Sequence, residues 1–255
     1  MKVGRSLQEV LMELQRQNQA KKDYIAPAQS MRLEKDGRTF QMGEQAPFAT
    51  TQLFHRQLAS TLAIPAKYYD LMQKEKPELL AENVNVWLDT RQSNYMIRSM
   101  DYGAGPVARA LLSERYRRID NMEIASAVLP LFAGNDGYSV ESCEVTENRL
   151  YLKILNKRLE MEVRKGDIVQ AGVIISNSEV GLGAVSVQPL VYRLVCTNGL
   201  IIDDFGERRN HVGRQAKMAE DFTLYSDETL KAEDKAFMPV SYTHLRAHET
   251  ELQLV

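Results

Sequence analysis

Residues 166–196, GDIVQAGVIISNSEVGLGAVSVQPLVYRLVC, constrain the fold more than any other stretch. Two long apolar runs rich in β-branched residues, GDIVQAGVIISNS and AVSVQPLVYRLVC, are separated only by EVGLG. Gly181 and Gly183 permit positive φ, so the joint reads as a turn between two long strands. Strands joined so tightly pair antiparallel. Upstream, RLYLKIL and LEMEV flank NKR. Leu159, Met161 and Val163 alternate with Glu160 and Glu162, the pattern of an antiparallel strand with one wet and one buried face.

The N-terminal third carries a different period. Leu7, Val10, Leu11 and Leu14 predict an amphipathic helix over residues 5–20. EKDGRTF marks a hairpin within the polar stretch 21–46. Thr50 or Thr51 can cap a helix running to about Leu62, Pro65 suits the first turn of a second, and Pro77 opens a third. Three short helices with tight joints resemble a helix-turn-helix array. The turn lacks a glycine, however, and the second helix carries aromatics rather than base-reading polar residues, which favours a plain helical lobe. From Asn83 the alternating NVNVWL signals a change towards strands, and NMEIASAVLPLF predicts a helix after the capping pair Asp120-Asn121. From Glu207 the chain turns polar and basic, and GRQAKMAEDFTLYSDETLKAEDKAF reads as a helical tail.

The expected class is therefore α+β: a helical N-terminal lobe followed by a mainly antiparallel β-sheet with packed helices. The expected divisions are 1–82 (helical), 83–205 (α+β core), 206–239 (basic loop and helical tail) and 240–255, a segment of separate origin treated below.

At 44% hydrophobic and 26% charged, the composition is that of a soluble globular protein. A net charge of −2 gives no global field towards nucleic acid or membrane, so any basic patch is local. No run of about 20 apolar residues is present to span a bilayer, and the N-terminus lacks an apolar signal core. Cys143 and Cys196 are too few for a disulfide framework and fit a reducing cytosol. Cytoplasmic location is the expectation. The oligomeric state is not legible in the sequence.

Two basic clusters are the candidate functional residues. Six arginines lie between Arg91 and Arg118, and four of them, Arg109, Arg115, Arg117 and Arg118, crowd around Tyr116. Planar guanidinium groups suit bidentate phosphate contacts, and a tyrosine face can stack a base. The competing reading is a salt-bridged surface in which Arg117 and Asp120 fix a turn. The second cluster, GERRNHVGRQAK, sets Arg208, Arg209, Arg214 and Lys217 against Glu207; it can grip a phosphodiester backbone or remain a solvated loop. SNSEVGLG lacks the Gly-Lys-Ser/Thr of a phosphate loop, and its Asn and Ser read as turn residues. A nucleophilic Cys196–His211 pair has no supporting motif. Glu179, Asp203 and Asp204 are the carboxylates that a metal site would use, although an Asp-Asp step in a turn is usually solvated. No cofactor or metal is expected.

Five stretches, HRQLASTLAIPAKYYDLM, ARALLSERYRRIDNMEI, GDIVQAGVIISNSEVGLGAVSV, VYRLVCTNGLI and NHVG, together resemble the phage- and plasmid-associated family catalogued as domain of unknown function 932. The resemblance runs from about Phe54 to Gly213, and LSERYRRIDN, NSEVG and VCTNGL are specific in combination. It implies a cytosolic protein of a mobile element or its bacterial host, and supplies no catalytic residues. The leading expectation is a non-enzymatic protein that binds single-stranded DNA or RNA in replication or recombination. Two alternatives stand beside it: a metal-dependent enzyme acting on nucleotides or nucleic acid, and a structural or host-interaction protein using the helical lobe.

The C-terminal VSYTHLRAHETELQLV contains His244-x-x-x-His248, a spacing that can place two imidazoles on one helix face around zinc. VSYTHLRAHET also resembles, residue for residue, the translated frame of a transposon-based sequencing-library adapter, and Leu254-Val255 stands where the constant adapter resumes. Val240–Val255 is accordingly expected to be a non-native scar, with the native sequence cut off near Pro239 and the helical tail truncated. Without His244 and His248, the remaining His55 and His211 form no zinc spacing with the two cysteines. Deleting Val240–Val255 is expected to leave the melting temperature unchanged within error. A loss of several degrees, or zinc bound through His244 and His248, would show the segment to be a working part of the fold.

Overall fold

A computed structural model describes residues 7–132, 137–164, 167–193, 199–201 and 207–209. Two compact units emerge: Gln15–Tyr116, and Met1–Leu14 together with Arg117–Val255. Helix α1 (Leu7–Ala20) opens the described chain. The class is α+β, with helices accompanying two mostly antiparallel sheets.

The unit Gln15–Tyr116 is built on strands β1 (Lys21–Pro27), β2 (Met31–Leu33), β3 (Thr39–Met42), β4 (Phe48–Thr50), β5 (Asn94–Asp101) and β6 (Pro106–Ser113), in the order β1-β5-β6-β4-β3-β2. Only β4 and β6 run parallel. EKDGRTF forms the expected hairpin: Glu34 N–H donates to the Thr39 carbonyl at 2.8 Å, and Gly37 takes φ +65°. Helices α2 (Gln52–Thr61), α3 (Ala66–Glu75) and α4 (Pro77–Thr90) start where the capping signals place them. Thr51 Oγ1 accepts the Phe54 N–H, and Pro77 occupies the first turn of α4.

These helices pack on the sheet rather than forming a lobe of their own. Gln57 of α2 accepts the Leu111 N–H of β6 at 2.9 Å. Asn85 of α4 accepts from Leu33 N–H at 2.8 Å and donates to the Leu33 carbonyl at 3.0 Å, engaging both main-chain groups of one β2 residue. Phe40, Phe48, Phe54, Leu58, Leu80, Val84, Leu88 and Ile97 fill the core between the layers. NVNVWL, which alternates like a strand, is the last part of α4. Val84 and Leu88 are buried one turn apart while Val86 is 60% exposed, so the helical period governs. The division expected after residue 82 thus falls inside a helix.

In the other unit, strands β7 (Tyr138–Val145), β8 (Leu150–Arg164), β9 (Asp167–Asn177), β10 (Val185–Arg193) and β11 (Gly199–Ile201) form an antiparallel sheet in the order β11-β10-β9-β8-β7. A short β12 (Glu207–Arg209) also pairs with β10. Helix α5 (Asn121–Phe132) lays Ile124, Ala125 and Val128 on one face of the sheet, and Val10 and Leu14 join the same core. The long apolar runs joined by EVGLG are β9 and β10, as their spacing requires.

RLYLKIL and LEMEV, by contrast, belong to one strand. The β8–β9 register jumps between Leu155 and Glu160, so residues 156–159 bulge out and pairing resumes. Met161 is 59% exposed, against the buried face expected from its alternation with glutamates. The reason is pairing: β7 reaches only to Asn156 on β8, so beyond the bulge β8 pairs, among the described residues, with β9 alone. Opposite Leu155, Gly172 permits a close approach. A Cβ there would lie 2.5 Å from the Ile154 carbonyl oxygen and 2.9 Å from Leu155 Cδ2. Leu194, Cys196, Asp203, Asp204, His211, Arg214 and the segment 240–255 lie outside the described residues.

A polar chain runs through the core of the Gln15–Tyr116 unit. Thr50 Oγ1 donates to the Arg38 carbonyl at 2.5 Å and lies 2.7 Å from His55 Nε2. With its proton given to Arg38, Thr50 accepts from His55, which fixes the neutral Nε2–H tautomer. Nδ1 then accepts from the Tyr69 hydroxyl at 2.8 Å. Burial lowers the His55 pKa to about 4, against an opposing pull from Asp70 and Asp36, and burial also raises that of Tyr69. A neutral imidazole preferred by the fold contributes stability that is complete above pH 6.5 and is lost as pH falls towards 4. The shift corresponds to on the order of 3 kcal/mol. Urea midpoints measured from pH 7 to pH 4 are expected to fall more steeply for the wild type than for His55→Gln. Parallel curves would show that His55 is not the titrating group.

Candidate nucleic-acid interface

The first basic cluster begins at a bulge. Arg98 of β5 stands opposite Ala110 of β6, and Ser99 opposite Ala108, leaving Arg109 as the extra residue. Arg109 is 6% exposed, and its carbonyl accepts from Thr51 Oγ1. Arg98 is fully buried and paired with Asp23 at 3.0 Å. β6 ends at Ser113, whose carbonyl accepts the Tyr116 N–H at 3.0 Å in a tight turn, and Asn94 donates to Glu114 at 2.9 Å. Arg115 is exposed at this turn, whereas Tyr116 is 6% exposed.

Arg109 and Tyr116, both expected among the contacting groups, are thus inside the protein. A bulge holds the first within the sheet, and the second has no ring face open for stacking. Along the chain, Arg117 is half-buried and Arg118 is exposed.

The segment that follows explains the conspicuous polar motifs. Asp120 closes the start of α5: its carbonyl accepts from Ile124 N–H at 3.1 Å, and its N–H donates to Glu123 at 3.2 Å, half of a capping box. At the end of β9, Asn177 donates through Nδ2 to the Ile119 carbonyl at 3.0 Å and to Asn121 Oδ1 at 2.8 Å. Glu179 accepts the Asn121 N–H at 2.8 Å. All three polar side chains are buried. IDN and NSE, far apart in sequence, are therefore two halves of one joint between α5 and the sheet. A carboxylate at the first turn also complements the helix dipole. Leu182 N–H donates to Ser178 Oγ at 3.1 Å, so Ser178 holds the SNSEVGLG turn as expected, whereas Asn177, also expected to bond the turn backbone, bonds across to the start of α5.

The second cluster meets the sheet edge. Arg208 stands in register with Ser186 and Arg209 with Val185. Among the described residues, no three His, Cys, Asp or Glu side chains are grouped to hold a metal ion. Sequence reasoning passed over Arg149, Tyr151 and Lys153 of RLYLK. Their signal was the alternation with Leu150 and Leu152, which are fully buried in the sheet core. No helix among the described residues is long and apolar enough to cross a membrane.

Asn177→Ala is expected to lower unfolding free energy by roughly 1–3 kcal/mol, because it strands the Ile119 carbonyl and Asn121 Oδ1 in a buried site. Chemical denaturation checks this. A change below about 0.5 kcal/mol, the range of ordinary surface substitutions, would mean the joint is not structural.

Comparison with known proteins connects this unit to a family. No curated protein and no solved structure matches the chain. The family model described as Domain of unknown function (DUF932) matches residues 109–222. The match begins at the bulge residue and takes in α5, the IDN–NSE joint and strands β7 to β12, while HRQLASTLAIPAKYYDLM lies outside it. Over this segment, the chain is similar to the family of domain of unknown function 932.

Proposed function

We propose that the chain is a non-enzymatic protein that binds single-stranded DNA or RNA in the cytoplasm of a bacterial host, serving replication or recombination of a phage or plasmid. Arg115, Arg118, Arg208 and Arg209 make the phosphate contacts in this reading. The observation that carries it is the exposure of Arg118 just ahead of the anchored start of α5; Arg115 is exposed separately, at the Ser113–Tyr116 turn of the other unit. Exposed guanidinium groups on an ordered segment bind phosphate with little ordering cost. The pairing of Arg208 and Arg209 with β10 adds a second ordered backbone position.

Phosphate contacts leave a thermodynamic signature. For a single strand, each contact removed lowers the slope of log affinity against log salt by about 0.7. Arg115→Gln and Arg118→Gln are each expected to lower the slope by that amount and to weaken binding about equally for all base sequences. Fluorescence anisotropy with labelled single-stranded DNA and RNA at several salt concentrations reads both quantities. No binding at low salt rejects the function. Binding with an unchanged slope in both variants retains the function and rejects these residues.

A further inference from the structure

With Tyr116 buried, the reading above lacks an aromatic group for the bases. The face of the β7–β10 sheet turned away from α5 holds one. Leu150, Leu152 and Ile154 of β8 enter the core with α5, so the intervening Arg149, Tyr151 and Lys153 lie on the opposite face. Arg149 is exposed, and Tyr151 and Lys153 are half-buried.

Tyr151 is held rather than loose. Arg149 Nη1 donates to its hydroxyl at 3.1 Å, and Nη2 of the same guanidinium donates to the Leu182 carbonyl at 2.6 Å. Its register partner on β9 is Ser176, and Ser176 in turn stands opposite Ser186 of β10, their hydroxyls 2.8 Å apart. On that side, the row beside the ring holds only small polar side chains, Ser176 half-buried and Ser186 buried. The row ends at the register position of Arg208. Lys153 stands opposite the buried Ile174, which continues to the half-buried Gln188. Arg149, just ahead of β8, and Lys153 are four residues apart, roughly 13 Å along an extended chain, with the tyrosine midway. The acidic residue in this row is Glu144, opposite Tyr151 on β7.

We propose that this sheet face is the platform for a nucleic acid single strand, with Tyr151 stacking a base and Arg149 and Lys153 holding the flanking phosphates. The proposal rests on the nucleic-acid reading above and supplies its missing aromatic. Cationic side chains on either side of a partly exposed ring are the combination that binds single strands with little sequence preference. They complement a phosphodiester chain in charge, which an acidic protein segment would also do, but a single strand adds a planar base for the ring at every nucleotide.

The test uses the 255-residue chain, labelled oligo-dT and oligo-U, and heparin as a polyanion without bases. Tyr151→Ala is expected to weaken oligonucleotide binding on the order of tenfold to a hundredfold, with unchanged salt slope and unchanged heparin binding. Tyr151→Phe keeps the ring and is expected to stay within a few-fold of wild type. Lys153→Gln, a surface change that leaves the fold intact, is expected to lower the slope by about 0.7. If the wild type binds oligonucleotides and all three variants bind identically in affinity and slope, the platform is overturned while the nucleic-acid reading stands. Equal loss of heparin and oligonucleotide affinity in Tyr151→Ala overturns stacking and points to a polyanionic protein partner. No oligonucleotide binding by the wild type overturns both.

Discussion

The register between β8 and β9 is the constraint on which the second unit depends. Side chains alternate faces along a strand, so a slip by one residue would carry Leu150, Leu152 and Ile154 into water and Arg149, Tyr151 and Lys153 into the core. Three features hold the register. Gly172 admits a backbone approach that a side chain would block. The bulge at 156–159 absorbs the length mismatch between the strands locally. Asn177, at the end of β9, is tied to α5 by two hydrogen bonds and cannot shift without breaking both.

Several of the most conspicuous polar residues turn out to be architectural. Asn177, Glu179 and Asn121 look like site residues because polar side chains cluster at the end of an apolar strand. Their partners include main-chain groups and one another. Buried polar groups of this kind are costly when unpaired and directional when paired, so they specify one arrangement of helix against sheet. The His55 chain works similarly in the first unit. It runs from α3 through α2 to β4 and the β2–β3 hairpin with every proton assigned, orienting elements that apolar packing alone would allow to slide.

How far the sequence could be read depended on the range of the physics. Capping by Thr51, the prolines at 65 and 77, the hairpin at Gly37 and the long strands around EVGLG were legible because each is a local preference. NVNVWL misled because Val84, Val86 and Leu88 satisfy the strand period while Leu80, Val84 and Leu88 satisfy the helical one, and only packing on the sheet decides. LEMEV misled because strand alternation says that two faces differ, not that anything covers the apolar one. Arg109 and Tyr116 looked like surface chemistry from residue type alone. The bulge that buries Arg109 arises from pairing with β5, a partner set by tertiary structure.

Asn85 has an implication for the outer limit of the first sheet. A carboxamide offers one acceptor and one donor in nearly the spacing of a peptide group, so α4 presents β2 with the equivalent of a single residue of neighbouring strand. Arg32 and Asp89 hold the same helix along that margin with an ion pair at 2.6 Å. Exposed strand margins are where chains recruit one another into intermolecular β-structure. With Leu33 already occupied and only three residues in β2, that margin offers a poor template for self-association. A helix here acts as a gatekeeper against aggregation, a role quite apart from the apolar packing for which amphipathic helices are usually recognised.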